Sequence, residues 1–364
     1  MTADQTIVAP GRIVTASAVA FDALGGEEID AWHRLRAANP ALDSPYFHPG
    51  FAGAVHATGR SVRVTVGRDE RGAVGALLPG HRERSLLRPV GWPGADFQGP
   101  VRAAGTTVPP LTLLGSGVRA FAFDHLLEPT PEFAPWVEST RPSPYLDVTG
   151  GLDGYLGRAS RSGKDNMGQA RRRTAKAERQ LGPVRFTADV VDEHVLRRVV
   201  ELKRAQYAAT GARDFFAQPD RHQLLIRLLH TRGTDFAGVL STLYAGPNLL
   251  AAHFGIRSGS VLHWWFPVYD PEHSSLAPGW ILLRELVAAS PALGINRIDL
   301  GRGDDEYKRR AKTGEVMVSQ GLLTRSATRL AARRARTALI AAAKSSALGP
   351  ELRRAVRKLR ARQH

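Results

Sequence analysis

The sequence predicts an α+β protein: mixed, mostly antiparallel sheets flanked by helices, arranged as two halves and followed by basic C-terminal helices. Three observations lead there. In the second half, three extended segments follow one another with only tight turns between them, which makes an antiparallel meander. Segments with apolar residues at helical spacing stand on either side of it. A stretch rich in Pro and Gly, Arg141 to Gly154, separates this half from a first half of short strands and helices.

Length and composition set the frame. The chain has 364 residues, 43% hydrophobic and 23% charged, too many for one ordinary core. It contains no Cys, which excludes a disulfide scaffold, a thiolate nucleophile and a Cys-containing zinc site. No apolar run approaches the roughly 20 residues of a membrane span, and the first residues lack a basic start followed by an apolar stretch, so a cytoplasmic protein is expected. The net charge of +16 is unevenly placed: Arg325 to His364 carries +11 and Leu152 to Gly182 carries +5, leaving a neutral body.

In the first half, Arg12 to Ala20 reads as a strand and Glu27 to Ala38 as a helix. Ser61 to Val66 and Ala73 to Leu78 form a hairpin across Asp69, Glu70, Arg71 and Gly72. Pro89 to Gly117 breaks into short elements, and Arg119 to His125 and Pro144 to Val148 are extended. Leu152 to Gly182 reads as one basic helix, weakened by Gly157, Gly163 and Gly168; its Arg171, Arg172, Arg173, Lys176 and Arg179 suit a solvated face or an anionic partner.

The second half opens with a strand at Val184 to Val190. Two amphipathic helices follow, Glu193 to Ala209 and Asp220 to His230. The meander comprises Phe236 to Ala245, Leu249 to Arg257 and Val261 to Val268, with turns at Gly246 to Asn248 and at Ser258 and Gly259. A loop, Tyr269 to Gly279, enters a helix at Trp280 to Ala289; strands at Asn296 to Leu300 and Glu315 to Leu323 flank the polar GRGDDEYKRR. The order strand, two helices, three-strand meander, loop, helix, strand, strand is that of the GNAT (acyl-CoA N-acyltransferase) fold. The first half approximates it with weaker signals, so a tandem GNAT-like arrangement is expected: 1–150 a degenerate N-terminal copy, 151–183 a basic connecting helix, 184–324 the acyltransferase domain, and 325–364 a basic helical tail.

Within that order, AAHFGIRSGSVLHWWFPVYDPEHSSLAPGWILLRELV and GINRIDLGRGDDEYKRR resemble the C-terminal half of the CelD-like acetyltransferases, GNAT-superfamily proteins named for cellulose biosynthesis and related to the FemAB aminoacyltransferases. The linked motifs are YDP, PG after a small residue, DLGRG and YK, together with the basic RRR helix; DFQGP at Asp96 to Pro100 resembles an N-terminal motif of the same group more weakly. The resemblance spans roughly Leu152 to Leu323. It implies acyl transfer from acetyl-CoA or another acyl-CoA to an amine or hydroxyl on a small molecule or glycan, in cell-envelope or polysaccharide metabolism. The alternatives are a FemAB-type use of aminoacyl-tRNA and an inactive scaffold of the same fold. Ala277 departs from the pattern, which has Ser before Pro-Gly.

A helix N-terminus offers unpaired N–H groups and a partial positive charge. The cofactor's pyrophosphate is therefore expected at Ser275, Leu276, Ala277, Pro278, Gly279 and Trp280. Acyl transfer needs a base for the acceptor proton and an acid for the departing thiolate. Asp299, Asp304, Asp305 and Glu306 are candidate bases, with the last three equally readable as a solvated turn, and Tyr307 is the candidate acid. Lys308 suits an anion on the acceptor. His253 and His263 lie on adjacent meander strands, either as catalytic groups or as structural ones. Trp264, Trp265 and Phe266 suit a groove or a core. The twelve His show no metal-ligand spacing, so no metal is expected.

In the tail, an Ala-rich segment with Arg329, Arg333, Arg334 and Arg336 ends at Gly349-Pro350. Leu352, Ala355, Val356 and Leu359 then line one side of a basic helix. Such a helix suits attachment to an anionic membrane surface, placing the protein at the inner face of the membrane, or a solvated tail. Nucleic acid is less expected because stacking aromatics are missing.

Overall fold

The structure is a computed structural model and describes residues 11–127, 131–303 and 305–345. The first half begins with β1 (Ile13–Ala20), α1 (Gly26–Ala37) and α2 (Pro49–His56). There follow β2 (Arg63–Asp69), β3 (Val74–Glu83), β4 (Leu86–Pro89), β5 (Val101–Arg102), β6 (Ala120–Leu127) and β7 (Val137–Asp147). The predicted hairpin is present: β2 and β3 pair antiparallel, and Asp69 Oδ1 accepts from Arg71 N at 2.9 Å and Ala73 N at 3.0 Å to close the turn. In α1, Glu28 reaches back to the Gly25 N–H at 3.0 Å, satisfying one of the helix's orphan donors.

The basic segment forms two helices rather than one, α3 (Gly151–Arg158) and α4 (Arg161–Leu181). The chain turns extended at Ala159 and Ser160, and the Ser160 hydroxyl caps α4 by accepting from Gly163 N at 3.2 Å. After β8 (Val184–Thr187) come α5 (Glu193–Thr210) and α6 (Pro219–Leu229). The meander is β9 (Phe236–Ala245), β10 (Asn248–Ser258) and β11 (Val261–Tyr269). Then α7 (Pro278–Ala289) and β12 (Arg297–Asp299) lead to α8 (Glu306–Ala311), a helix within the polar stretch GRGDDEYKRR. Gly163 shows what α8 packs on: a Cβ there would stand 2.9 Å from Arg310 O and 3.0 Å from Tyr155 Oη. Last are β13 (Gly314–Thr324) and α9 (Ala327–Ser345).

The strands form one sheet, ordered β1-β2-β3-β4-β6-β13-β7-β12-β11-β10-β9-β8, with β5 on β3. The middle of this order is an exchange. β13, from the C-terminal half, lies antiparallel between β6 and β7; β7, from the N-terminal half, lies antiparallel between β13 and β12. Each half thus lends its last strand to the other.

Both faces of the meander are covered. One core joins the halves: Trp32 and Phe51 from α1 and α2 meet Val199, Leu225 and Phe254. The other packs Met167 of α4 and Ile281 and Leu286 of α7 on Leu262 and Trp264. Two-sided burial explains why β9 is almost entirely buried along its length. Helix α9 is tied to the body: Arg333 Nε lies 2.7 Å from Glu138 Oε1, and Arg334 donates to Pro135 O at 2.7 Å. No helix among the described residues is long and apolar enough to cross a membrane. The basic helix expected around Leu352 to Leu359 lies outside the described residues.

Candidate active site

The site is made by two parallel strands that part. β11 and β12 pair only through Val261↔Arg297, Leu262↔Ile298 and His263↔Asp299, after which β12 ends while β11 continues to Tyr269. At the same point β11 bulges against β10: Phe254 opposes Phe266, yet Ile256 opposes His263, so two steps on one strand face three on the other. Gly255 permits this, since a Cβ there would collide with His263 O and the His253 ring. Beyond His263 the β11 edge toward β12 is free to border a gap.

The chain leaving β11 makes a short turn of 3-10 helix over Pro271–Leu276, capped by Asp270, whose Oδ1 accepts from Glu272 N at 3.1 Å. Ala277 then adopts a left-handed conformation (φ 44°, ψ 56°) and α7 starts at Pro278. In the first turn of α7 Pro278 has no N–H and Trp280 N donates to Ala277 O at 3.0 Å, which leaves the Gly279 N–H open at the helix start. A cleft of about 300 Å³ lies at this helix start, lined by Trp264 and Pro267 of β11, by Ala277, Pro278, Gly279 and Trp280, and by Tyr307 across the gap. A Cβ on Gly279 would meet nothing within 4 Å, so that backbone faces open space. Of the six residues expected to hold a cofactor, the last four line the cleft. Leu276 is buried in the core below, and Ser274 rather than Ser275 reaches the cleft wall.

Tyr307 sits in the first turn of α8. Burial first, then the charges of Asp305 and Asp96, push its phenol well above the usual value, so the hydroxyl holds its proton. Lys308 does not face an acceptor. Its buried Nζ donates to Gly301 O at 3.2 Å and Arg302 O at 3.1 Å, with Asp305 Oδ2 at 3.6 Å, so it fastens the GRG turn from within. Nearby, Lys203 of α5 donates to Pro267 O at 3.2 Å; burial and the proximity of Lys308 push its ammonium down to about 8.

Asp299 is 2% exposed and is held by Arg297, whose Nε lies 2.9 Å from Asp299 Oδ1 and whose other nitrogens grip Asp43 at 2.5 and 2.7 Å. Burial raises its carboxyl above the ordinary range, with Arg297 opposing. The expected base is thus part of an Asp43–Arg297–Asp299 brace between the halves and does not line the cleft. His253 is also behind the site. Its ring lies flat on Trp264, centroids 4.0 Å apart, and burial pushes its imidazole down to about 3, which leaves a neutral, weakly basic group. Asp305 and Glu306 are exposed at the start of α8, while Asp304 lies outside the described residues.

A polar cluster that sequence reasoning did not assemble sits at the seam. Asp96 Oδ1 is 3.1 Å from His125 Nε2, and Asp96 Oδ2 is 3.0 Å from His263 Nε2. His125 Nδ1 is 2.9 Å from Asp124 Oδ1, which also accepts from Gln98 Nε2 at 2.8 Å. With carboxylates at both ring nitrogens, His125 must donate from both. Its pKa is raised accordingly, as the two carboxylates outweigh burial. Burial acts against ionised Asp96, yet His125 and His263 hold its carboxyl well below the usual range. Gly301 lets the DLGRG turn close over this group: its φ is 74°, and a Cβ would collide with Asp96 Oδ2. The DFQGP resemblance was the signal available for Asp96 and Gln98; His125 and Lys203 had none.

Elsewhere, His33, His48 and Asp235 bring their donor atoms within 4.8 Å. His48 Nδ1 accepts from Gly50 N at 2.9 Å, so Nε2 carries the proton toward Asp235 at 2.8 Å, and Arg36 stands 3.8 Å from the same carboxylate. These groups satisfy one another.

Residues 164–309 match the family model of an acetyltransferase (GNAT) domain. The C-terminal half carries a GNAT domain. Two solved structures resemble nearly the whole chain. The C-terminal domain (DUF2156) of a putative lysylphosphatidylglycerol synthetase from Agrobacterium fabrum aligns with 12% identity and a TM-score of 0.51, over 87% of this chain and 96% of that one. FemX aligns with 12% identity and a TM-score of 0.54, over 84% and 96%. At that identity the likeness concerns fold alone, and it covers both halves of the chain. No curated protein matches the chain. The expected tandem GNAT-like α+β fold is therefore the fold found, and the protein is a transferase of the GNAT type.

Proposed function

We propose that this GNAT protein is a CelD-like acyltransferase that moves an acetyl or other acyl group from acyl-CoA to an amine or hydroxyl acceptor. One observation carries the reading: the N-terminus of α7 and the Tyr307 phenol line the same cleft, where β11 and β12 part. The backbone of Ala277 to Trp280 receives the pyrophosphate, using the open Gly279 N–H and the positive end of α7 in place of the hydroxyl that Ala277 lacks. The edge of β11 at Trp264 to Val268, which β12 no longer pairs, borders the thioester arm. The acceptor heteroatom attacks the thioester carbonyl carbon, the new C–N or C–O bond forms and the C–S bond breaks. The departing thiolate takes the Tyr307 proton, and the acceptor's proton passes to base or water.

Thermal shift with acetyl-CoA and CoA tests this directly. A ligand at 100 times its Kd raises stability by about 2.7 kcal/mol. A melting temperature unmoved by either compound, together with salt-sensitive tRNA binding, would support the second reading, an aminoacyl-tRNA donor. The exposed Arg171, Arg172, Lys176 and Arg179 of α4 favour that reading. The exposed Arg329, Arg334 and Arg336 of α9 suit an anionic membrane surface, where each cation contributes about 1 kcal/mol. That would seat the enzyme at the inner face of the membrane, near cell-envelope or polysaccharide acceptors.

A further inference from the structure

A second pocket, of about 510 Å³, opens where the two halves meet and shares no lining residue with the cleft at α7. Arg60, just after α2, and Trp92 line it from the N-terminal half; Arg213, Asp220 and Arg221 line it from the loop between α5 and α6 and the first turn of α6. Two guanidiniums converge on one oxygen there, since Arg60 Nη1 and Arg221 Nη2 both donate to Trp92 O, the second at 2.7 Å. The Arg221 side chain is 7% exposed and its guanidinium lies over the Phe215 ring at 5.0 Å, so it is built in rather than free to swing out. Arg213 is exposed, and among the described residues its guanidinium has neither ion pair nor hydrogen bond. Its loop is nonetheless fixed: Asp214 accepts from Arg204 Nε and from Phe216 N, each at 2.8 Å. Carboxylates do not cancel the gathered charge. Asp220 Oδ2 stands 3.5 Å from Arg221 Nε, and the lining carboxylate of Glu83 stands 3.4 Å from Arg88 Nε, outside the group. Among the described residues Arg60 and Arg213 are thus left without an acidic partner. Burial, then the charge of Arg221, pushes the Arg60 guanidinium down to about 10, which is the mark of a cation short of a counter-charge.

We propose that this pocket binds a phosphate monoester, separate from any ligand at α7, and that Arg60, Arg213 and Arg221 hold its phosphate. Guanidinium forks match phosphate oxygens with paired N–H donors, and these charge-assisted bonds are the strong ones. The two cations without an acidic partner match the roughly two negative charges of a phosphate monoester near neutral pH, where a carboxylate brings only one. The Trp92 carbonyl fixes two of the three forks before the ligand arrives, so little side-chain freedom is lost on binding. Trp92 itself offers the organic part of the ester an apolar wall. Because Arg60 and Trp92 belong to one half and Arg213 and Arg221 to the other, the bound ester also bridges the halves and stabilises their union by mass action.

Calorimetric titration of the full chain with inorganic phosphate and with glycerol 3-phosphate tests the assignment. Glycerol, which lacks the phosphate, and dimethyl phosphate, which carries a single charge, serve as controls. Both phosphate probes should bind at one site, and saturating CoA should leave that binding in place. Glycerol should give no heat, and dimethyl phosphate should bind about 10-fold more weakly than glycerol 3-phosphate, as should glycerol 3-phosphate itself to Arg213→Gln. The R213Q protein should melt at the wild-type temperature when unliganded, since the side chain is exposed and unpaired; Arg213→Glu should abolish binding. Silence with both phosphate probes, equal affinity for dimethyl phosphate, or unchanged binding in R213Q and R213E would overturn the proposal. Displacement of the phosphate by CoA would overturn it as well, by moving the phosphate to the cleft at α7.

Discussion

Tyr307→Phe separates chemistry from folding unusually well. Among the described residues no hydrogen bond ties the phenol to the protein, and the ring is kept in the variant, so stability should move by no more than about 0.5 kcal/mol. Turnover should not survive as well. General acid catalysis contributes about 10²- to 10⁴-fold, which corresponds to roughly 2.7 to 5.4 kcal/mol at about 1.36 kcal/mol per tenfold. Because the acid acts on the leaving thiolate, the loss should fall on kcat while KM for acetyl-CoA stays near the wild-type value. A thiol-reactive dye reports CoA release with no protein background, since the chain has no Cys. The pH profile adds a sign. The phenol is pushed up by burial, so its active, protonated form is complete at every pH up to 10 and is lost only above that. Wild type should accordingly show no alkaline fall below pH 10 attributable to this group. A decrease of less than about tenfold in Y307F, with the fold intact, would refute the role of Tyr307 as the acid.

Other substitutions probe the frame. Ala277→Gly should raise stability slightly, because relieving a left-handed alanine gains about 1 to 2 kcal/mol and the freedom of Gly returns about 0.5 to 1 kcal/mol; thermal melting reads the difference. Asp299→Asn strips Arg297 of a buried partner and should cost about 3 to 5 kcal/mol in urea unfolding, with KM for acetyl-CoA little changed in the surviving folded protein. Gly301→Ala should be worse tolerated than Gly279→Ala in the same assay, as the first collides with Asp96 and the second meets open space. The seam cluster predicts a pH window for stability. His125 has a raised pKa, so its contribution is complete below about 6.5 and disappears as pH rises through the higher folded value; Asp96 is lowered, so its contribution is complete above about 3.9 and disappears as pH falls through the lower folded value. Unfolding measured across pH should show both slopes, and His125→Asn should flatten the upper one.

Local pattern made much of this legible. The hairpin at Asp69 to Gly72, the meander and the Pro-Gly helix start were readable because turn chemistry and period-two or period-3.6 spacing act over a few residues. What escaped was set by distant chain. Asp299 looked like a base because a buried carboxylate needs a partner, and the partners proved to be Arg297, two residues away, and through it Asp43 from the other half. Lys308 looked like an anion binder, but α8 turns its Nζ onto two carbonyls of the preceding loop. His253 and His263 occupy neighbouring strands, yet the β11 bulge sends one behind Trp264 and the other to Asp96. Asp96 and His125 are 29 positions apart and acquire their chemistry only when β6 and the GRG turn are in place.

The exchanged strands also constrain how the chain can be made. During synthesis β6 and β7 emerge long before β13, the strand that must lie between them, and until residues 314–324 arrive both carry unpaired edges. Such pairing across nearly two hundred residues closes slowly, and an open edge invites association with other chains. A nascent protein halted before Gly314 would have neither half of its sheet complete, and separately expressed halves would each lack a strand that only the other provides.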